Sequence, residues 1–259
     1  MKIISSRDNP LFKRLHRLST SSRERRKSGK ALLDGMHLIK AYCDSCSSPD
    51  MIVLSSGARA HPEISEFLDS RPELEPVVFA PGLFNDIAQV THPVGIIAIC
   101  DVPRAGRPKA PPKTCVLLEG IQDPGNLGSI LRSAAAAGVK DVFLSSECAF
   151  AWSPKTLRAG MGAHFLLTIH EGAELADTAR WFDGAIIATL PRARQSLFAT
   201  DLTGRLAWLF GTEGEGLSPT MAALATTSVA IPMARRSESL NVAAAAAICF
   251  FEQVRQSRS

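Results

Sequence analysis

Three short segments combine residue types that can bind an anion, orient a hydroxyl and let a ligand reach the backbone. In LLEGIQDPGNLGSILRSAAAAGV (117–139), Pro124 and Gly125 form a tight turn and Asn126 is placed to cap the following helix. Arg132 follows six residues later in an otherwise apolar stretch, where a guanidinium loses solvation unless a partner or substrate meets it. In WLFGTEGEGL (208–217), Gly211, Gly214 and Gly216 allow positive φ and close backbone approach, with Glu213 and Glu215 between them. In AIPMARRSESLNVAAAAAICFFE (230–252), Arg235 and Arg236 open a basic loop, and Ser237, Ser239 or Asn241 can cap the alanine-rich helix. Each segment also has a plain reading: an arginine snorkelling at a helix rim, a strand-to-helix loop, and a capped helix. Other chemistries lack their signatures. GxxxxGK[ST] and a post-strand GxGxxG are missing, GTEGEG has a different spacing, and neither HExxH nor GxSxG occurs.

These segments must be held by a sheet. CVLLEG, DVFLSS, AIIATL, AWLFG and SVAIP are near-continuous apolar strands alternating with helices, the pattern of a parallel sheet covered on both faces. Each of the three segments then lies at a C-terminal strand end, where α/β sheets place ligands. The last helix spans about 240–255. Upstream, residues 32–43 carry apolar residues at helical spacing, 51–56, 76–80 and 94–100 read as strands, and helices are predicted around 62–69 and 82–89. Residues 1–100 therefore form a small α/β domain. Pro- and Gly-rich DVPRAGRPKAPPK (101–113) is a stiff linker, and 114–259 is the second domain.

The chain has 259 residues, of which 46% are apolar and 21% charged, a globular composition. Its apolar runs are shorter than the roughly 20 residues of a membrane span, and a cytoplasmic protein is expected. Residues 1–40 hold eleven Lys/Arg against three acids, a local charge of +8 in a chain of net +4. Such a basic end suits a polyanion. RERRKSGK (23–30) reads as a mobile loop offering Arg23, Arg25, Arg26 and Lys27 to nucleic acid; a solvated helix face is the other reading. Six cysteines lie mostly in apolar runs, and the single Cys43/Cys46 CxxC lacks the second pair that zinc requires, so no metal is expected.

Taken together, the three segments resemble the SpoU/TrmH class of the SPOUT methyltransferase superfamily. Asn126, Gly128 and Arg132 meet its N-x-G-x-x-x-R motif, Phe210, Gly211, Glu213, Gly216 and Leu217 its F-G-x-E-x-x-G-L motif, and Ile231-Pro232-Met233 with Ser239-Leu240-Asn241-Val242 its third. SSRDNPLFKRLHRLS and the rest of the first 100 residues resemble the ribosomal-protein-like substrate domain that many members carry. The resemblance implies a SPOUT fold with a trefoil knot, a homodimer, and methyl transfer from S-adenosylmethionine to a ribose 2′-hydroxyl of RNA.

The resemblance also assigns roles. Thr189, Leu190, Gly211, Ile231 and Leu240 would hold the cofactor. Arg132 would be the central catalytic residue, fixing a phosphate and developing charge, since a guanidinium hardly serves as a base. Asn126, Ser239 and Asn241 would position Arg132, the ribose and the cofactor, and Glu213 would orient Arg132 or cap its loop. RNA would lie along the basic N-terminal segment, Arg158, Arg235 and Arg236. Two departures stand out: the basic Arg235–Glu238 insert, and Gly160 where related chains more often carry Ser. The N-terminal domain favours ribosomal over transfer RNA. A base-nitrogen methyltransferase and a catalytically silent RNA-binding assembly factor on the same fold are the other readings.

Overall fold

The computed structural model describes residues 3–46, 48–106, 108–234 and 239–258. The chain divides into two compact units, Met1–Arg104 with Trp152–Arg158, and Ala105–Ala151 with Ala159–Ser259.

The first unit runs β1 (Ile3–Ile4), α1 (Pro10–Thr20), α2 (Ser22–Ser28), β2 (Lys30–Asp34), α3 (Met36–Ser45), β3 (Met51–Ser55), α4 (Pro62–Asp69), β4 (Val77–Phe79), α5 (Pro81–Ile87) and β5 (Ile96–Asp101). Its mixed sheet has the order β1-β4-β3-β5-β2, with β5 antiparallel to both neighbours. Phe12, Leu15 and Leu18 recur on one face of α1 and pack with Phe79, Phe84 and Ile97. The helical spacing read across 32–43 holds only from Met36, because Lys30–Asp34 pairs with β5 and Gly35, at φ 95°, breaks the chain direction. Asp101, read as the start of the linker, closes β5 and forms a 2.7 Å ion pair with Lys30.

RERRKS is helical rather than a loop. Ser21 accepts from Glu24 N, and Gly29 stops the helix at φ 63°. Arg25 is 4% exposed: its guanidinium donates to the carbonyls of Leu18 and Ser19 and to Ser22 Oγ. It satisfies the carbonyl end of α1 and joins the two helices. Arg25 is therefore withdrawn from the RNA-binding set, while Arg23, Arg26 and Lys27 stay exposed on α2.

The second unit runs β6 (Thr114–Leu118), α6 (Pro124–Ala136), β7 (Asp141–Leu144), the end of α7 (Pro154–Gly160), β8 (Thr168–His170), α8 (Leu175–Trp181), β9 (Ala185–Thr189), β10 (Gln195–Ser196), β11 (Leu206–Phe210), α9 (Pro219–Ala222), β12 (Thr227–Ala230) and α10 (Val242–Ser257). All seven strands are parallel, in the order β10-β12-β9-β11-β6-β7-β8. Central β11 is buried throughout. Ala207 and Leu209 pack with Leu175, Ala179 and Met221 of the helices on one face, while Trp208 and Phe210 meet Phe250 of α10 on the other. This two-sided burial accounts for its uninterrupted apolar sequence. No described helix is long and apolar enough to cross a membrane.

Gly160 has a steric cause. A Cβ there would stand 2.5 Å from His164 Cε1, and that imidazole is fully buried. Its Nε2 lies 2.8 Å from Ala151 O, and because a carbonyl only accepts, Nε2 carries the proton. Burial pushes the His164 pKa down from 6.5 to about 4. Folded His164 thus stays neutral where the unfolded chain takes up a proton. Its contribution is complete above pH 6.5 and is lost as pH falls toward 4, on the order of 3 kcal/mol in full. Denaturant titrations at several pH values should show unfolding free energy dropping through that window, with the drop weakened in His164→Gln.

Candidate active site

The site grows from the β6 end. Glu119 N extends the β6–β11 pairing by donating to Phe210 O at 2.9 Å. Its carboxylate accepts from Ser218 N at 2.8 Å and Ser218 Oγ at 2.7 Å, fastening the far end of the glycine-rich loop. Gly120, at φ 65°, turns the chain; a Cβ there would meet Thr212 Cγ2 at 2.8 Å. Its N–H donates to Ser145 Oγ, and Ile121 N donates to Cys148 Sγ. Burial raises the Cys148 pKa, and the protonated thiol donates to Leu118 O at 3.2 Å.

Asp123, rather than Asn126, caps α6. Pro124 at the first helical position drives Asp123 into an extended conformation, and its Oδ1 accepts from Asn126 N at 2.9 Å. The Asn126 side chain is thereby released. Its Nδ2 donates to Glu213 Oε1, while its Oδ1 accepts from Asn241 Nδ2 at 3.0 Å. Asn241 Nδ2 also donates to Glu213 Oε1 at 3.2 Å. Meanwhile Asn241 Oδ1 caps α10, accepting from Ala243 N and Ala244 N. One amide thus caps a helix with its oxygen and ties the first turn of α6 to the Glu213 loop with its nitrogen.

The loop carrying Glu213 is closed on itself. Thr212 and Gly216 exchange backbone hydrogen bonds at 2.9 and 3.1 Å, and Gly211 lies so close to the Gly216 carbonyl that any Cβ would collide with it. Gly120, Asp123, Asn126, Thr212, Glu213 and Glu215 line an open cleft at this edge of the sheet. Glu213 Oε2 has no partner among the described residues, so it can accept a hydrogen bond from a hydroxyl entering the cleft. Glu213 was expected to orient Arg132 or to cap its loop. It instead holds Asn126 and Asn241.

Arg132 is solvent-exposed on α6, so the burial argument for a partner does not apply to it. It has no hydrogen-bonding or ion-pair partner among the described residues, which leaves its donors for an incoming anion. Ser239 is exposed two residues before the cap. Thr189 ends β9 and is followed by Leu190, Gly211 follows β11, and Ile231 follows β12. These three strands are adjacent, so their ends emerge together. Leu240 is exposed immediately before Asn241. Arg158 is exposed but donates to Gln89 O at 2.9 Å within the first unit. Arg235 and Arg236 lie outside the described residues. Cys43 and Cys46 are unbridged, with thiol pKa values raised by burial, and the described residues contain no metal-ligand cluster.

Glu119, Ser218 and Asp123 were missed as supports. An acid closing the buried CVLL strand and a Ser-Pro pair opening the next helix were the available signals for the first two.

Comparison with known proteins bears on this arrangement. Residues 113–251 match the family model described as the SpoU rRNA Methylase family. An uncharacterized tRNA/rRNA methyltransferase of Synechocystis is 33% identical over 98% of this chain and 93% of its own length. The 23S rRNA (guanosine(2553)-2′-O)-methyltransferase RlmP of Bacillus subtilis is 28% identical over 97% and 98%. The crystal structure of an AdoMet-bound rRNA methyltransferase from Sinorhizobium meliloti superposes with a TM-score of 0.85 at 26% identity, covering 98% of this chain and 97% of that one.

The dual use of Asn241 yields a separable test. Aspartate caps a helix as well as asparagine but carries no amide hydrogens, and it places a second carboxylate beside Glu213. Asn241→Asp should lose methyl-transfer activity at least about ten-fold, the equivalent of one site hydrogen bond. Its thermal midpoint should stay close to wild type, as checked by activity assay and melting curve on one preparation.

Proposed function

Because the chain belongs to the SpoU rRNA Methylase family, we propose that its hydrogen-bonded Asn126–Glu213–Asn241 cluster is the centre at which a ribose is methylated. The protein is an S-adenosylmethionine-dependent RNA 2′-O-methyltransferase acting on RNA of the ribosomal class. The carrying observation is the cluster itself, in which residues from three distant segments share one carboxylate oxygen beside an open cleft.

The residues present suit the cofactor. Half-buried Leu190 and Ile231, at the ends of adjacent strands, and exposed Leu240, before α10, supply apolar surface for an adenine. Asp123, Glu213 and Glu215 give the cleft the negative charge that a sulfonium cation requires. Bound there, S-adenosylmethionine supplies an already activated electrophilic methyl group.

What remains for the protein is alignment and charge. Glu213, held by two amides, presents Oε2 to the ribose hydroxyl. Arg132, free in solvent, holds a neighbouring phosphate and offsets negative charge developing on the attacking oxygen. Ser239 and Asn241 set the position of the ribose at the start of α10. A guanidinium stays protonated, so Arg132 acts as an anchor rather than a base.

Residues 1–101, with Asp101 of β5 included, would bind substrate RNA, with 102–113 as linker and 114–259 as the methyltransferase domain. Arg23, Arg26 and Lys27 offer phosphate contacts on a fixed helix. Arg158, Arg235 and Arg236 complete the proposed RNA-binding set. A homodimer is supported by exposed Leu166 and Phe251, which belong to elements that both pack against α6, the helix of Arg132. With RNA as substrate, the cytoplasm is the proposed location.

Labelled methyl transfer to bulk ribosomal and transfer RNA, followed by alkaline hydrolysis, tests the reaction. Hydrolysis-resistant dinucleotides from ribosomal RNA are expected. Fully hydrolysable label would mean base methylation, and unlabelled RNA would leave a silent binding protein. In the same assay, Arg132→Ala should lower kcat by at least about a hundred-fold, the scale for removing a charge-stabilising donor. Replacing Arg23, Arg26 and Lys27 with alanine should weaken RNA binding and flatten its salt dependence at unchanged cofactor affinity. Arg25→Ala should instead lower the melting temperature.

A further inference from the structure

We propose that the segment Pro191–Phe198 is an additional RNA-contact strip, with Arg192 and Arg194 holding the backbone of a single-stranded stretch and Phe198 stacking on one unpaired base. The inference rests on the RNA-methyltransferase reading and extends it to residues outside the three motifs.

The strip's position follows from strand register. Thr189 ends β9 level with Val229, and Val229 pairs with Gln195 of β10. The chain thus leaves β9 beside the proposed cofactor residues Thr189 and Leu190, makes a short turn closed by Ala193 N to Leu190 O, and re-enters the sheet at the same level. β10 is an edge strand, so nothing in the sheet covers its outer side. The strip therefore lies at the sheet edge and joins directly to the proposed cofactor residues Thr189 and Leu190.

The chemistry of the strip is that of a nucleic-acid contact. No acidic residue occurs from Ala185 through Thr200. Arg192 and Arg194 are exposed, and neither has a hydrogen-bonding or ion-pair partner among the described residues. Phe198 is 53% exposed, yet its backbone is fixed: adjacent Leu197 is fully buried, and Thr200 Oγ1 donates to Ser196 O at 2.8 Å. An exposed ring on a fixed backbone, four to six residues from unpaired guanidiniums, provides a stacking face together with charge, which single-stranded RNA uses without base-specific hydrogen bonds. Charge complementarity selects RNA over a second copy of this chain, because two copies would bring four arginines together.

The test uses the full-length protein and in vitro transcribed ribosomal RNA. Binding is followed by fluorescence anisotropy at several salt concentrations, S-adenosylmethionine affinity by calorimetry, and mass by sedimentation. Arg192→Ala with Arg194→Ala should reduce the log–log salt slope by about 1.4 to 1.8, or 0.7 to 0.9 per phosphate contact. Phe198→Ala should weaken RNA binding about 5- to 150-fold, the range for one lost base–aromatic stack, and Phe198→Trp should restore it. Cofactor affinity and sedimentation should not change. Unaltered RNA affinity and slope would overturn the strip, as would a change in sedimentation for Phe198→Ala, which would make this face an interface between copies. If wild type methylates RNA while the variants bind normally, the strip alone fails; if wild type neither binds nor methylates RNA, the functional reading fails with it.

Discussion

The geometry of the cleft depends on one primary amide being satisfied at both ends. Asn241 Oδ1 accepts the first free N–H groups of α10, and Nδ2 spans Asn126 and Glu213. A helix must have its first N–H groups met, so capping fixes where Asn241 stands and which way its nitrogen points. The first turn of α6, bearing Asn126, and the loop bearing Glu213 then have a donor of set position to close upon. Helix capping and site assembly are here one hydrogen-bond network, which links the stability of a 16-residue helix to the geometry of a cleft.

Rigidity behind the network comes from burial. β11 is covered on both faces, and Trp208 Nε1, its one polar side-chain group, donates to Gln253 of α10 at 2.7 Å. The same helix is thus fixed at its start by Asn241 and along its length by β11. Glu119 contributes a different constraint. Its bidentate hold on Ser218 sets the exit of the glycine-rich loop, while the Thr212–Gly216 bridge sets its shape. Within this closure Gly211 serves close backbone approach to the Gly216 carbonyl, and Gly216 supplies a φ of 74°.

Parallel strands were legible because two-sided burial leaves an unbroken apolar run, and the three ligand-bearing segments were legible because α/β sheets expose strand ends. Local partners were not. Asn126 and Asp123 are both good caps, and only the backbone restriction imposed by Pro124 decides between them. Arg25 sits among four basic residues that look alike in sequence, yet one side chain turns inward to the carbonyl end of α1. Lys30–Asp34 carries apolar residues compatible with helix, and its pairing with β5 across more than sixty residues overrides that preference. The Gly160 departure has a cause that sequence could not show, since the His164 ring fills the space of a side chain.

The contrast between Glu213 and Arg132 bears on how the site works. The carboxylate is fixed by two amides before substrate arrives, so orienting a hydroxyl costs little reorganisation. The guanidinium is exposed, as would suit its proposed role of capturing a phosphate from water and being held in place by it. If Arg132 were tied to Glu213, each charge would satisfy the other and neither would be available to substrate. Engaging Glu213 through neutral amides keeps both charges unspent, so in the proposed function RNA binding would itself complete the ionic arrangement of the site.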